Sequence, residues 1–167
     1  MARRFVLGDE QIVAAPLERC FLLSTSLALV ARELKMKPVR GRTHGLVVAG
    51  DTVYWRGRKF GLPQFHESLI EDFQPYRFFR DRMISGRFGA FEHDHAFLPQ
   101  PDGTVLMRDE VRFSMRWGLC GDVIGAALLL PHIRRLMRRR FALLKRVAES
   151  DEWRRYLTEP VSIPSGS

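Results

Sequence analysis

"FRDRMISGRFGAFEHDHAF", residues 79–97, holds two short runs of alternating character on either side of a Ser85-Gly86 turn signal. Strand side chains alternate with period two, so His93 and His95, two positions apart, must project from the same face. Phe91 and Phe97 share that face. This favours an enclosed, apolar-lined side over a solvated one. Three uses then compete for the two imidazoles: holding a metal, moving a proton, or orienting a bound molecule.

The same period extends outward in both directions. Between Pro38 and Met115, candidate strands fall at 39–49, 52–60, 63–73, 76–84, 90–98 and 104–115, separated by Gly-, Pro- and Asp-rich turn signals. Such short connections imply an antiparallel meander. Upstream, "FVLGDEQIVAAP" reads as a first strand, broken at Gly8 and ended by Pro16. "PLERCFLLSTSLALVARELKM" then carries apolar residues at helical spacing. The cluster Ser24-Thr25-Ser26 interrupts it, which predicts two short helices, the second capped by a hydroxyl side chain.

From Leu119 to Glu149 the helical period returns, with Ile124, Leu128, Ile133, Leu136, Met137, Phe141, Leu144 and Val147 or Ala148 on one stripe. Pro131 should kink this helix or divide it. The expected class is therefore α+β, a seven-stranded antiparallel sheet with its helices on one side. A sheet curling around the long helix would enclose a cavity. Residues 1–149 are expected to form a single domain, and 150–167, ending in "EPVSIPSGS", a partly disordered tail.

Composition narrows the function classes. The chain of 167 residues carries 46% hydrophobic side chains, enough for one sizeable core. Its longest apolar run, "VIGAALLLP" at 123–131, is far too short to span a bilayer, and Asp9 and Glu10 interrupt any secretory signal; a cytosolic protein is expected. Cys20 and Cys120 are expected to be small buried hydrophobes without chemistry. The net charge of +8 is local. Seven basic residues and no acidic one lie between Arg134 and Arg146, which leaves 20 basic against 19 acidic elsewhere.

Several stretches together resemble the SRPBCC, or START-like, superfamily, the helix-grip fold of birch-pollen-allergen-like proteins, lipid-transfer domains and polyketide cyclases. They are "IVAAPLERCF", "FRDRMISGRFGAFEHDHAF", "GTVLMRDEVRFSM" and "RRRFALLKR", spread over residues 3 to about 148. The second and third look most like an uncharacterised bacterial branch. Arg87 departs from that branch, which usually has proline there, and Pro131 interrupts the last helix. The resemblance implies a curved sheet gripping a long C-terminal helix, with a ligand cavity between them and no assigned ligand.

On this reading Trp55, Phe65, Phe79, Met83, Phe91, Phe97, Met107, Val111 and Phe113 line the cavity, and His93, His95 and Asp109 orient an amphipathic ligand. The reading is of a carrier or sensor of a hydrophobic or amphipathic small molecule such as a lipid, polyketide or isoprenoid. Pairing His95 with Met107 across the Pro101-Asp102-Gly103 turn would set Asp109 opposite His93. Those two then offer an acid/base pair for a cyclase or dehydratase, the rival reading. Asp81 is another acidic neighbour for the histidines.

No metal or other cofactor is expected. His66 or Glu67 could complete a ligand set, but Pro99 and Gln100 stand where a cupin-type pattern needs a glutamate, and no H-E-x-x-H occurs. The basic helix is expected to be a solvated face. Contact with an anionic membrane or a partner remains open, and no specific nucleic acid is expected. Arg140 sits nearest the apolar boundary and is expected to reach a ligand's acidic head group at the cavity mouth.

Overall fold

The computed structural model describes residues 3–59 and 61–157. Its strands are β1 (Arg4–Val13), β2 (Met36–Gly41), β3 (Thr52–Lys59), β4 (Leu62–Gln74), β5 (Phe78–Ser85), β6 (Ala90–Pro99) and β7 (Val105–Ser114). They form one seven-stranded sheet in the order β1-β7-β6-β5-β4-β3-β2, every neighbour antiparallel. The meander thus runs consecutively from β2 to β7, and β1 closes it against the last strand. Register shifts in β4, at Glu67/Ser68 and between Glu71 and Gln74, bend the longest strand as bulges do and help curl the sheet.

The helices are α1 (Leu17–Thr25), α2 (Leu27–Leu34), α3 (Gly118–Ile124) and α4 (Leu130–Ala148). Phe21 of α1 is fully buried, its ring 5.2–5.9 Å from those of Phe97, Tyr76, Phe73 and Phe79. Truncating that one ring to alanine would cost about 3–5 kcal/mol. Ile133, Met137, Phe141, Leu144 and Val147 turn one face of α4 onto the sheet, four of them at helical steps from Met137. On the opposite face of the sheet, Arg80 and Arg112 both clasp Asp94, and Arg112 also meets Glu92 and Glu110. The alternation that sends His93 and His95 inward sends Glu92 and Asp94 into this outer charge ladder.

Several expectations are corrected. β1 is continuous through Gly8, which pairs with Glu110 without a bulge. β2 lies earlier and is shorter than expected, and Arg42–Asp51 is a loop. Gly41, Gly45 and Gly50 all have φ between 74° and 80°, which ends the extended backbone. At Gly41 a Cβ would fall 2.1 Å from the Thr52 carbonyl oxygen, so no other residue fits. The loop is held by Asp51, which accepts from Arg42 Nε at 2.8 Å and from the Val48 amide at 2.9 Å. Ser26 precedes α2 in the capping position, but its side chain makes no capping hydrogen bond.

The C-terminal helix divides before Pro131. A wide turn, Gly125–Leu129, joins α3 to α4, and the Leu130 amide donates to the Gly125 carbonyl five residues back. Pro131, with no amide hydrogen, cannot continue this ladder, and the wide turn falls immediately before it. One extra residue in a turn advances the helical phase by about 100°. The helix divides as Pro131 led one to expect, but the single apolar stripe drawn across it does not hold: Leu128 is 66% exposed and Ile124 37%, while Ile133, Met137, Phe141, Leu144 and Val147 are buried. Cys120, on α3, is exposed rather than buried. At the other end, Trp153, Tyr156 and Leu157 pack against the core, and residues 158–167 lie outside the described residues.

Candidate functional site

Between the concave face of the sheet and the helices lies a cavity of ≈ 380 Å³. Most of its wall is apolar, from Trp55, Phe79, Phe91 and Val111 of the sheet to Ile133, Leu136 and Met137 of α4. Set into it are Ser68, Asp81, His93 and His95 from the sheet, Glu33 from α2 and Arg140 from α4. Each strand residue is placed by pleat alternation, and Arg140 by lying three residues beyond Met137 on the buried face of its helix.

Asp109 organises this polar cluster. Its carboxylate lies 3.0 Å from His95 Nδ1 and 3.2 Å from His93 Nε2, and it accepts from Arg140 Nε at 2.8 Å. Arg140 also donates from Nη1 to Glu33 Oε2 at 3.2 Å, and its Nη2 sits 3.1 Å from His95 Nδ1. A bare Nδ1 would set its lone pair against the Asp109 carboxylate, so we assign the Nδ1–H tautomer to His95, donating to Oδ1. Asp109 is 1% exposed and Arg140 4%, so this ion pair is closed to water.

Burial alone would raise the Asp109 carboxyl. His95, Arg140 and His93 override it and hold Asp109 well below the usual carboxylate range. Burial, with His93 alongside, pushes His95 down to about 3, so that ring is neutral. Glu33 and Asp81 move the other way. Burial raises both, against the pull of Arg140 and His93 on Glu33 and of His66 and His93 on Asp81.

The strand register differs from the expected one by two residues: His95 faces Asp109, His93 faces Val111, and Met107 faces Phe97. Asp109 still reaches both rings because both project to its face. Asp81 stands opposite His93 on the other side.

Of the positions predicted to line the cavity, Trp55, Phe65, Phe79, Phe91, His93, His95, Val111 and Arg140 do so. Met83, Phe97, Met107, Phe113 and Asp109 do not. Phe97 and Met107 belong to the main core, with Phe97 against Phe21, and Phe113 stacks on Phe5 at 4.9 Å. Asp109 lies one layer behind the imidazoles. As a result the His93–Asp109 pair offers a ligand only the histidine, with the carboxylate as its support. Arg140 is not at the mouth awaiting an acidic head group; it is buried and shared between Asp109 and Glu33.

Glu33 and Ser68 escaped the sequence reading. Glu33 follows Val30 by three positions on α2, a spacing that places it beside the apolar stripe and was a usable signal. For Ser68 the strand parity alone was too weak. His93, His95 and Asp109 bring ligand-type atoms within 4.8 Å of one another. The guanidinium of Arg140 already supplies the positive charge there, and a divalent ion bound to Asp109 would sit against it.

No protein-family model matches the sequence, and no curated protein sequence matches it significantly. Solved structures do match in shape. The ZhuI aromatase/cyclase from Streptomyces sp. R1128 aligns with a TM-score of 0.71 at 14% identity, over 95% of this chain and 100% of that one. A truncated norcoclaurine synthase from Thalictrum flavum gives 0.66 at 12%, over 89% and 96%. Ara h 8.0201 gives 0.65 at 10%, over 87% and 98%. At such identities the likeness is one of architecture: the chain has the helix-grip fold that these structures share.

Proposed function

We propose that the protein binds one hydrophobic or amphipathic small molecule in the cavity between its sheet and α4. The observation that carries this reading is the cavity itself, ≈ 380 Å³ of largely apolar wall with a few convergent polar groups. Space of that size and lining is what small-molecule sites require, and apolar burial supplies the driving force. The fold neighbours named above include an aromatase/cyclase and a synthase.

Titration with Nile red tests the reading. Saturable one-to-one binding with a blue-shifted emission is expected, weakened by Leu136→Trp, which adds ring volume to the cavity wall. Unsaturable, surface-type binding indifferent to that substitution would overturn it.

A second reading concerns the outside of the same region. Trp117, Leu119, Val123 and Leu128 are 62%, 84%, 66% and 66% exposed, and α4 presents Arg134, Arg135, Arg138 and Arg139 to solvent. Apolar side chains next to clustered arginines suit an anionic bilayer, from which a ligand of this kind is drawn. Co-sedimentation with phosphatidylglycerol vesicles, lost in Leu119→Asp and in high salt, is the expected result. Equal sedimentation of the variant would count against it. Among the described residues no helix is long and apolar enough to cross a membrane.

A further inference from the structure

Resting on the cavity reading, we infer that the bound molecule carries a hydrogen-bond donor, a hydroxyl or an amine, directed at Asp81, and that fatty-acid-like carboxylates are rejected. Two observations carry this. The first is that the buried cation is already committed. Arg140 donates from Nε to Asp109 at 2.8 Å and from Nη1 to Glu33 at 3.2 Å, so its charge is shared between two carboxylates of its own chain. A carboxylate entering the cavity therefore meets a buried cation already neutralised, with Glu33 and Asp81 in the same wall, while Arg87, at the exposed end of the lining, donates to the Pro63 carbonyl.

The second observation is a set of unmet polar atoms in the wall. Asp81 Oδ1 is buried and has no hydrogen-bond partner among the described residues, and Ser68 Oγ beside it faces only the Asp81 carboxyl. They belong to adjacent strands, where Ser68 pairs with Met83 and Ile70 with Asp81, so the two are diagonal neighbours on one face. Both line the cavity. A buried polar atom left unpaired costs about 1–3 kcal/mol. A ligand hydroxyl or ammonium reaching Asp81 Oδ1 satisfies it in either protonation state, because that oxygen accepts when ionised and, when protonated, the carboxyl still accepts. The raised position of the Asp81 carboxyl fits a group kept from water and from any paired cation. His66, His93 and Arg140 face it from the surrounding elements, none of them as a hydrogen-bond partner to Oδ1.

The test is displacement of Nile red from the full chain at neutral pH by three probes of equal chain length: 1-decanol, decylamine and decanoate. The alcohol and the amine are expected to displace the dye at concentrations roughly tenfold or more below that of decanoate, the ratio that one well-placed hydrogen bond supports. Asp81→Asn presents an amide N–H that a carboxylate can use, so decanoate is expected to gain and the gap to narrow. Ser68→Ala, a smaller change in the same wall, is expected to weaken the alcohol without helping decanoate. Decanoate displacing as well as the alcohol in the unmodified protein would overturn the inference, as would a preference unchanged in Asp81→Asn. In either case Nile red binding itself leaves the cavity reading standing. Failure of Nile red to bind at all would bring down the cavity reading, and this inference with it.

Discussion

The Asp109–Arg140 contact gives the sharpest energetic prediction. Both side chains are nearly inaccessible, 1% and 4% exposed, and are joined at 2.8 Å. Removing one member strands the other charge in a low-dielectric interior. For such a contact that costs about 3–5 kcal/mol, whereas replacing both members with apolar groups is often close to neutral. Asp109→Leu should therefore lower stability by about 3–5 kcal/mol, a melting decrease of roughly 6–20 °C in a chain of this size. Arg140→Met should cost at least as much, because it strands the Asp109 carboxylate, whereas Asp109→Leu leaves Arg140 its contact with Glu33 at 3.2 Å. The double variant should lose less than the sum of the two single losses, by at least about 1.5 kcal/mol. Urea denaturation followed by circular dichroism measures all three. Additivity within about 0.5 kcal/mol would show that the two side chains do not act as a pair, and the reasoning about the closed cluster would fail.

Other outcomes follow from the same packing and electrostatics. His95 titrates near 6.5 when unfolded but is held to about 3 in the fold, so in that window the unfolded chain binds the extra proton and stability falls as pH drops. His95→Gln should flatten that limb in acid titrations of the unfolding free energy. Glu33 and Asp81, raised in the fold, contribute in the opposite sense: they cost stability as pH rises through their folded values. Phe21→Ala should lose about 3–5 kcal/mol in the same urea assay, since four rings close on it. Gly41→Ala, forced into a φ of 75° against the Thr52 carbonyl, should destabilise the β2–β3 edge and speed amide exchange there.

The sheet was legible because its signal is local. Alternation between Phe78 and Ser114, punctuated by Ser85-Gly86 and Pro101-Asp102-Gly103, suffices to order the strands, while the shared face of Phe91, His93, His95 and Phe97 favoured one side as inward without deciding it. Register was less legible. It depends on how many residues the 99–105 turn consumes, and a shift of two leaves every side chain on its original face. The helix phase across Gly125–Leu129 was hidden for a similar reason: a single five-residue turn rotates everything before it, and apolar residues such as Leu128 look alike inside and out.

Layering was the least visible property of all. Periodicity placed Phe97, Met107, Phe113 and Asp109 on the inward face, but whether an inward side chain meets empty space, α1 or α4 is decided by helices distant in sequence. Arg140 illustrates the point. Its position near the apolar boundary was readable from spacing, while its commitment to Glu33, 107 residues away, and to Asp109 was not.

Native mass spectrometry with added 1-decanol tests the central claim most directly. The account predicts a single one-to-one adduct on the unmodified protein, which is reduced in Leu136→Trp and which decanoate at equal concentration does not match. A mixture of multiple weak adducts, identical in the variant and indifferent to the polar end of the probe, would contradict both the cavity as a binding site and the chemistry assigned to its wall.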